Sequence, residues 1–284
     1  MANTVYANKV IEAKAQDLLT TQVNARSMMT VDNSLTATAG MIKTINTYTY
    51  SGVAEELAVG AGNTAATRGS IAYVGKDYTV KMVQQAADYY DEDFMKDNLI
   101  VDFMLKGATQ VMTNKMTSDF YAALATKNSA GTAELVSGVT FANGGALSYE
   151  VIVDAISELN VEDESGIFIV IPNAWKAALR KDDDYKSAQM GEVIYNGQVG
   201  IIAGIPVIAT KALTDRAYVM TKEAVTLFIK KDVEVEQERD ADTRKNSIYL
   251  RDCYICALTD ATKACSITEA AAASGGSGSG STQA

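Results

Sequence analysis

Among the residues that could do chemistry, the first observation is a gap: none of the 284 is histidine. Ser/His/Asp and Cys/His nucleophilic sites are excluded, and so are imidazole metal sites. Catalysis would have to run on carboxylates, lysine, tyrosine or cysteine. Cys253-Tyr254-Ile255-Cys256 has the spacing of a redox or zinc pair. In a strand, residues three apart point to opposite faces, and no second pair completes four ligands. With Cys265 the chain has 3 cysteines, too few for a disulfide framework at this length, so they read as reduced structural thiols. Gly60-Ala61-Gly62-Asn63-Thr64-Ala65 matches the loose dinucleotide fingerprint. That chemistry needs a buried strand before the glycines and a helix behind them. Glu55 to Val59 is no buried strand and Gly69 interrupts any helix, so the segment reads as a hairpin tip. Acidic clusters at Asp91-Glu92-Asp93, Glu162-Asp163-Glu164, Asp182-Asp183-Asp184 and Glu234 to Asp242 lack calcium-loop spacing and read as solvated. No catalytic, cofactor-binding or metal-binding residue is assigned, no cofactor is expected, and the chain reads as a non-enzyme.

The bulk properties agree. A hydrophobic fraction of 48% and a charged fraction of 21% are those of a folded soluble protein. Net charge of −10 argues against general affinity for phosphate backbones, although a container that encloses nucleic acid needs no basic surface. The N-terminus lacks a secretory pattern and no apolar run approaches a membrane span, so a cytosolic chain with no membrane partner is expected.

The elements that would position any site follow an unusual order. Val5 to Thr20 has helical spacing in Val10, Ile11, Ala15, Leu18 and Leu19, and a polar stretch runs on to Ala39. This arm is expected to find little to pack against in its own chain. Met41 to Tyr50 and Ile71 to Met82 read as half-exposed strands, with Ile71, Tyr73 and Thr79 on one face and Val74, Tyr78 and Val80 on the other. The Gly-rich Ser51 to Ser70 between them is too polar for a core, so a hairpin that projects toward another subunit is expected.

Asp91 to Thr126 is helical, with Val101, Leu105, Ala108, Met112, Met116, Phe120 and Leu124 along one stripe. Some thirty-five residues would span roughly 50 Å. Gly107 sits mid-helix, which predicts close packing or a bend there. A Gly-rich connection (Ser129 to Ala146) leads to an α/β unit. Its parts are a helix Ser148 to Leu159, a buried strand Gly166 to Ile171, a helix Asn173 to Arg180 and a strand Gly204 to Ala209. Ala217 to Ile267 alternates as strands, and Ala270 to Ala284 is linker composition.

Three phrases carry a family resemblance: Gly166 to Leu179 (GIFIVIPNAWKAAL), Ile201 to Thr210 (IIAGIPVIAT) and Ala217 to Leu227 (AYVMTKEAVTL). The "G-x-P-V" strand at Gly204 to Val207 is the most telling. With the order of segments, the chain resembles the major capsid proteins of tailed bacteriophages, the Hong Kong ninety-seven-type fold. The resemblance implies an α+β chain with an N-terminal arm (1–40), an extended hairpin loop with flanking strands (41–90) and a spine helix (91–128). A connection (129–145), an axial domain (146–216), returning strands of the peripheral domain (217–268) and a flexible tail (269–284) would follow.

It further implies self-assembly as hexamers and pentamers into an icosahedral shell around double-stranded DNA. The implied partners are a separate scaffolding protein, a portal and a decoration protein, and the implied location is the virion, assembled in the host bacterial cytoplasm. Some relatives cross-link lysine to asparagine. Lys76 lies near the hairpin but has no identifiable partner, so no cross-link is expected. Two other readings remain at this point: an encapsulin-like nanocompartment shell, and an α/β enzyme built on Ala146 to Ala212, which would need a deep pocket with convergent polar groups.

Overall fold

A computed structural model describes residues 13–15, 25–64, 67–97, 99–127, 131–159, 161, 164–188 and 200–270. The strands in chain order are β1 (Thr30–Asp32), β2 (Ile42–Ser51), β3 (Ser70–Thr79), β4 (Lys81–Tyr90), β5 (Ser137–Phe141) and β6 (Ile167–Pro172). After them come β7 (Ile201–Ile202), β8 (Ile205–Thr210), β9 (Arg216–Thr221), β10 (Val225–Asp240), β11 (Lys245–Leu258) and β12 (Ala264–Glu269). The helices are α1 (Asp91–Lys96), α2 (Ile100–Leu124), α3 (Tyr149–Leu159), α4 (Lys176–Lys181) and α5 (Asp183–Ala188). They divide into two compact units, one within 1–126 and 222–260 and the other within 127–221 and 261–284.

The first unit rests on the long antiparallel pair β10–β11, with β1 parallel on one side and β4 antiparallel on the other, in the order β1-β10-β11-β4. Register shifts at Ile229/Lys231 and Lys231/Glu234 mark bulges. They join the apolar run Val225 to Ile229 and the Val/Glu alternation Val233 to Glu236 into a single bent strand. The predicted stripe of α2 is buried along its length, and Val101, Leu105, Ala108 and Met112 pack on Val233, Val235, Ile248 and Leu250. The other face of β11 carries Cys253, Ile255 and Ala257, which pack with Leu35, Val80 and Phe228.

Three sequence expectations need correction in this unit. The helix expected from Asp91 to Thr126 is broken: Asp97 is extended at φ −145° and its carboxylate accepts the Leu99 N–H at 2.9 Å. Short acidic side chains compete with helical hydrogen bonding in this way. The N-terminal segment is not without contacts in its own chain. Ala15 is fully buried against the α2 cluster, Lys14 pairs with Asp102 at 2.7 Å, and Ala25, Met28, Met29 and Leu35 are buried. The remainder of the expected arm, residues 1–12 and 16–24, lies outside the described residues. At Gly107, a Cβ would meet no atom within 4 Å, so close packing inside the chain does not explain the glycine.

The second unit is a six-stranded sheet in the order β5-β12-β9-β6-β8-β7. Every residue of β6 is buried, as its unbroken apolar run predicts. Helix α3 covers the sheet with Ile152, Ala155, Ile156 and Leu159, while Ser148 Oγ accepts the Val151 N–H at 3.4 Å at its start. Chain order is not spatial order here. The segment expected as a plain connection contains β5, whose Gly138 pairs with Ser266 in parallel with β12. β9 and β12, expected among the returning strands of the other domain, belong to this sheet. The reason lies in their composition: Ala217 to Met220 and Ala264, Cys265 and Ile267 are apolar enough for a sheet buried on both faces. Residues 189–199 and the part of the expected tail at 271–284 lie outside the described residues.

Candidate assembly surfaces

The β2–β3 ribbon pairs from Ile42↔Thr79 to Ser51↔Ser70, and Val80 N–H donates to Met41 O at 2.7 Å at its base. Alternation then sorts its side chains. Ile45 and Tyr78 point toward the core beside Phe228 and Ile255, and Tyr78 Oη donates to Leu258 O at 3.3 Å. On the opposite face, Tyr48, Tyr50, Ile71 and Tyr73 are all at least 67% exposed. Tyr48 and Tyr73 are cross-strand partners with ring centroids 6.3 Å apart. The apolar residues of this face are therefore left largely exposed by the described chain. The face assignment made from alternation holds.

The ribbon's tip is organised by polar contacts. Glu55 accepts from Thr64 N–H at 3.1 Å and from Thr67 Oγ1 at 2.6 Å. The Thr67 hydroxyl foremost, then the Thr64 amide, hold its carboxyl below the ordinary range. Gly60 has φ +84° in a turn, and the described residues between it and Ser70 contain no helix. Tyr50 lies over Gly69, where an added Cβ would displace its ring.

A second polar surface joins the β10–β11 turn to the start of α1. Arg239 pairs with Asp91, Arg244 with Glu92 and Lys245 with Asp88, each at 2.7 Å. Asn246 Nδ2 also donates to Asp91 Oδ1 at 2.6 Å. Hydrogen bonds from Arg239 and Asn246 hold the Asp91 carboxyl low. The cluster Asp91-Glu92-Asp93 thus opens a helix, as its position predicts, and all three of its members meet cations, Asp93 through Lys96 at 3.3 Å.

Two acids inside the first unit were not singled out by sequence. Asp119 is buried on α2 and receives Lys115 at 2.7 Å, Lys81 at 3.1 Å and the Tyr254 hydroxyl at 3.0 Å. Burial works to raise its pKa, but hydrogen bonds from Lys115 and Lys81 together outweigh it, and the carboxyl lies below its ordinary value. Asp252 is 5% exposed on β11. Burial, with the nearby Asp232 charge, pushes its carboxyl up to about 7. Its only sequence signal is a lone acid inside an apolar strand.

The cysteines sit as the strand period requires. Cys253 lies in the Phe228 cluster, while Cys256 is on the other face, where burial and then the Asp119 charge push its thiol up to about 12. All 3 cysteines are free, and burial raises Cys265 to about 11. Protonated thiols at these values are poor nucleophiles. Asp182 serves local structure: its carboxylate accepts the Tyr149 N–H at 2.6 Å and the Asp184 N–H at 3.1 Å. Trp175 packs edge-on against Phe141 at 5.2 Å. Among the described residues no group of three or more acids and cysteines could hold a metal, and no helix is long and apolar enough to cross a membrane.

No family model matches the chain. Among solved structures it is similar to the capsid of Ralstonia phage GP4, with a TM-score of 0.65 at 10% identity over 87% of this chain and 88% of that one. It is similar also to the capsid of a native GTA particle, with a TM-score of 0.63 at 14% identity over 87% and 90% of the two chains. For a virus-like particle from Pyrococcus furiosus the TM-score is 0.61 at 9% identity over 91% and 98%. At these identities the likeness is one of fold: the chain has the α+β Hong Kong ninety-seven-type capsid fold. In sequence it is 29% identical over 120 residues to the major capsid protein of Staphylococcus phage phiMR11, a stretch that spans 40% of this chain and 44% of that relative.

Proposed function

We propose that this chain is a structural shell subunit, the major capsid protein of a tailed bacteriophage, and that it carries no catalytic role. The observation that carries the reading is the β2–β3 ribbon on this fold: four large apolar side chains, Tyr48, Tyr50, Ile71 and Tyr73, displayed on a two-stranded element. An isolated ribbon is marginal by itself in water, and such a patch gains its stabilisation when a neighbouring subunit covers it. On this reading the first unit, with α2 as its spine, is the peripheral domain and the second unit the axial domain. Hexamers and pentamers of the chain close into an icosahedral shell around double-stranded DNA in the host cytoplasm. A separate scaffolding protein assists closure, a portal occupies one vertex, and a decoration protein binds outside. The net charge of −10 is compatible with enclosing DNA without gripping it by sequence.

The test is sedimentation velocity on the full chain, with electron microscopy of the fastest fraction. Closed megadalton shells, or five- and six-fold rings, are expected. A compact monomer or dimer that persists after a scaffolding partner is supplied would overturn the proposal. DNA inside the shells fits a virion, whereas protein cargo would move the chain to the nanocompartment reading.

A further inference from the structure

The outward face of α2 has two features that the chain's own packing leaves unexplained. Its start and middle display Leu99, Phe103 and Val111 at 52%, 64% and 51% exposure, on the side opposite the buried stripe. Successive spacings of four residues, with Gly107 filling the position between Phe103 and Val111, align them over about 18 Å, three helical turns. Gly107 is the second feature. Glycine mid-helix costs about 1 kcal/mol relative to alanine. A Cβ there would touch nothing within 4 Å, so an alanine would fit this subunit without strain. A bare backbone notch flanked by exposed apolar side chains suits the close approach of a group from outside the chain.

The charge around the notch selects the occupant. Lys106 extends its ammonium over the Phe103 ring, 5.8 Å from the centroid. On this face of the helix it is the one charged side chain, with Gln110 bonded to Asn114 at 3.1 Å beside it. Asp102, at the flank, is already held by Lys14. A second copy docked by the same face about a two-fold axis would set Lys106 against its own counterpart, a like-charge contact at the centre of the interface. An acidic helix would instead place a carboxylate at Lys106 and its aliphatic side chains over Phe103 and the notch.

We propose that the outward face of α2, centred on Gly107, docks an amphipathic helix of a different protein, with aliphatic anchors at helical spacing and an acidic flank. The patch is small, which suits a helper that binds during assembly and then leaves. This rests on the shell-subunit reading for its biological purpose, but the contact itself can be measured on the unassembled subunit.

The probe is a synthetic helical peptide of about fifteen residues with leucines at i, i+3 and i+7 and flanking glutamates, alongside a twin in which lysines replace the glutamates. Titrated by fluorescence anisotropy into the full chain, the acidic peptide is expected to bind at least about tenfold more tightly than the basic twin. Gly107→Ala is expected to raise the melting temperature of the subunit while weakening the peptide. Phe103→Ser should weaken it by about tenfold without unfolding the subunit.

Equal binding of both peptides, or binding unchanged by Gly107→Ala and Phe103→Ser, would overturn the proposal. So would a concentration-dependent dimer that Phe103→Ser abolishes, which would assign the face to a second copy. If shells form normally while the peptide fails to bind, only the docking site is lost. If the peptide binds as described and no shell ever forms, only the shell reading is lost.

Discussion

The β2–β3 ribbon and the six-stranded sheet are both built from apolar β-formers, yet they dispose of them in opposite ways. In the sheet, Ile169 and Ile171 on β6 and Val219 on β9 are fully buried, each covered by its own chain. In the ribbon, Tyr73 and Val74 are neighbours on β3 that point to opposite faces, and they are 69% and 71% exposed. Burying a large side chain stabilises by about 1.5–3 kcal/mol. The second unit realises that gain within one subunit, and the exposed side chains of the ribbon can realise it only with another molecule. One chain thus keeps its folding stability and its assembly stability in different places.

The contrast has a large expected consequence. Ile169→Ala should lower the stability of the isolated subunit by about 2–5 kcal/mol, read as a drop in chemical denaturation midpoint. Tyr48→Ala combined with Tyr73→Ala should change that stability by less than about 0.5 kcal/mol and yet prevent closed shells, read by sedimentation. Equal destabilisation by both would break the comparison, because it would make the ribbon part of the subunit's own core.

How far this division was legible in sequence depended on whether a signal was local. Two glycine-punctuated β-runs flanking Ser51 to Ser70 sufficed for the ribbon, and the period-two alternation placed Tyr73 and Val74 on opposite faces. The stripe from Val101 to Leu124 sufficed for the buried face of α2. Helix α3 and strand β6 were equally plain. The return of β9 and β12 to the second unit was not readable, because strand pairing across long separations leaves no local mark. β5 was hidden by Gly138, and β1 by having three residues. Of the surfaces, the exposed ribbon was readable from its polarity, whereas Asp119 and Asp252 carry no sequence feature beyond a single acid, and their meaning comes only from what surrounds them.

Those two acids sharpen the comparison from the middle, since the first unit buries carboxylates and the strands of the six-stranded sheet bury none. Asp119→Ala should destabilise the subunit by about 2–3 kcal/mol, because it leaves the buried Tyr254 hydroxyl without its acceptor and removes the anchor of Lys81 and Lys115. The pH sense follows from its lowered pKa. The contribution is present above the unfolded value of 3.8 and is lost as pH falls through the folded value. Thermal melts across that range should therefore converge for wild type and variant under acid conditions. A constant difference at every pH would mean that packing, not the charge network, joins α2 to β11.

Asp252 should behave in the opposite sense and by a smaller amount. Its carboxyl is raised from 3.8 to about 7, so between those values the folded chain holds a proton that the unfolded chain has released. This group's effect on stability is neutral below the unfolded value, grows unfavourable as pH rises through the window from 3.8 to about 7, and stays so above it. Asp252→Asn removes the titration while keeping the shape. The variant should match wild type near the acid end and exceed it at mildly alkaline pH by on the order of 2 kcal/mol. Arg26, whose guanidinium lies 3.9 Å from Asp232, offers the nearby positive charge that limits the penalty, so Arg26→Ala should widen the gap between wild type and Asp252→Asn. If the gap instead closes, Arg26 acts by packing its 25–28 turn onto the sheet, and the first unit would be held there by the same apolar means as the second.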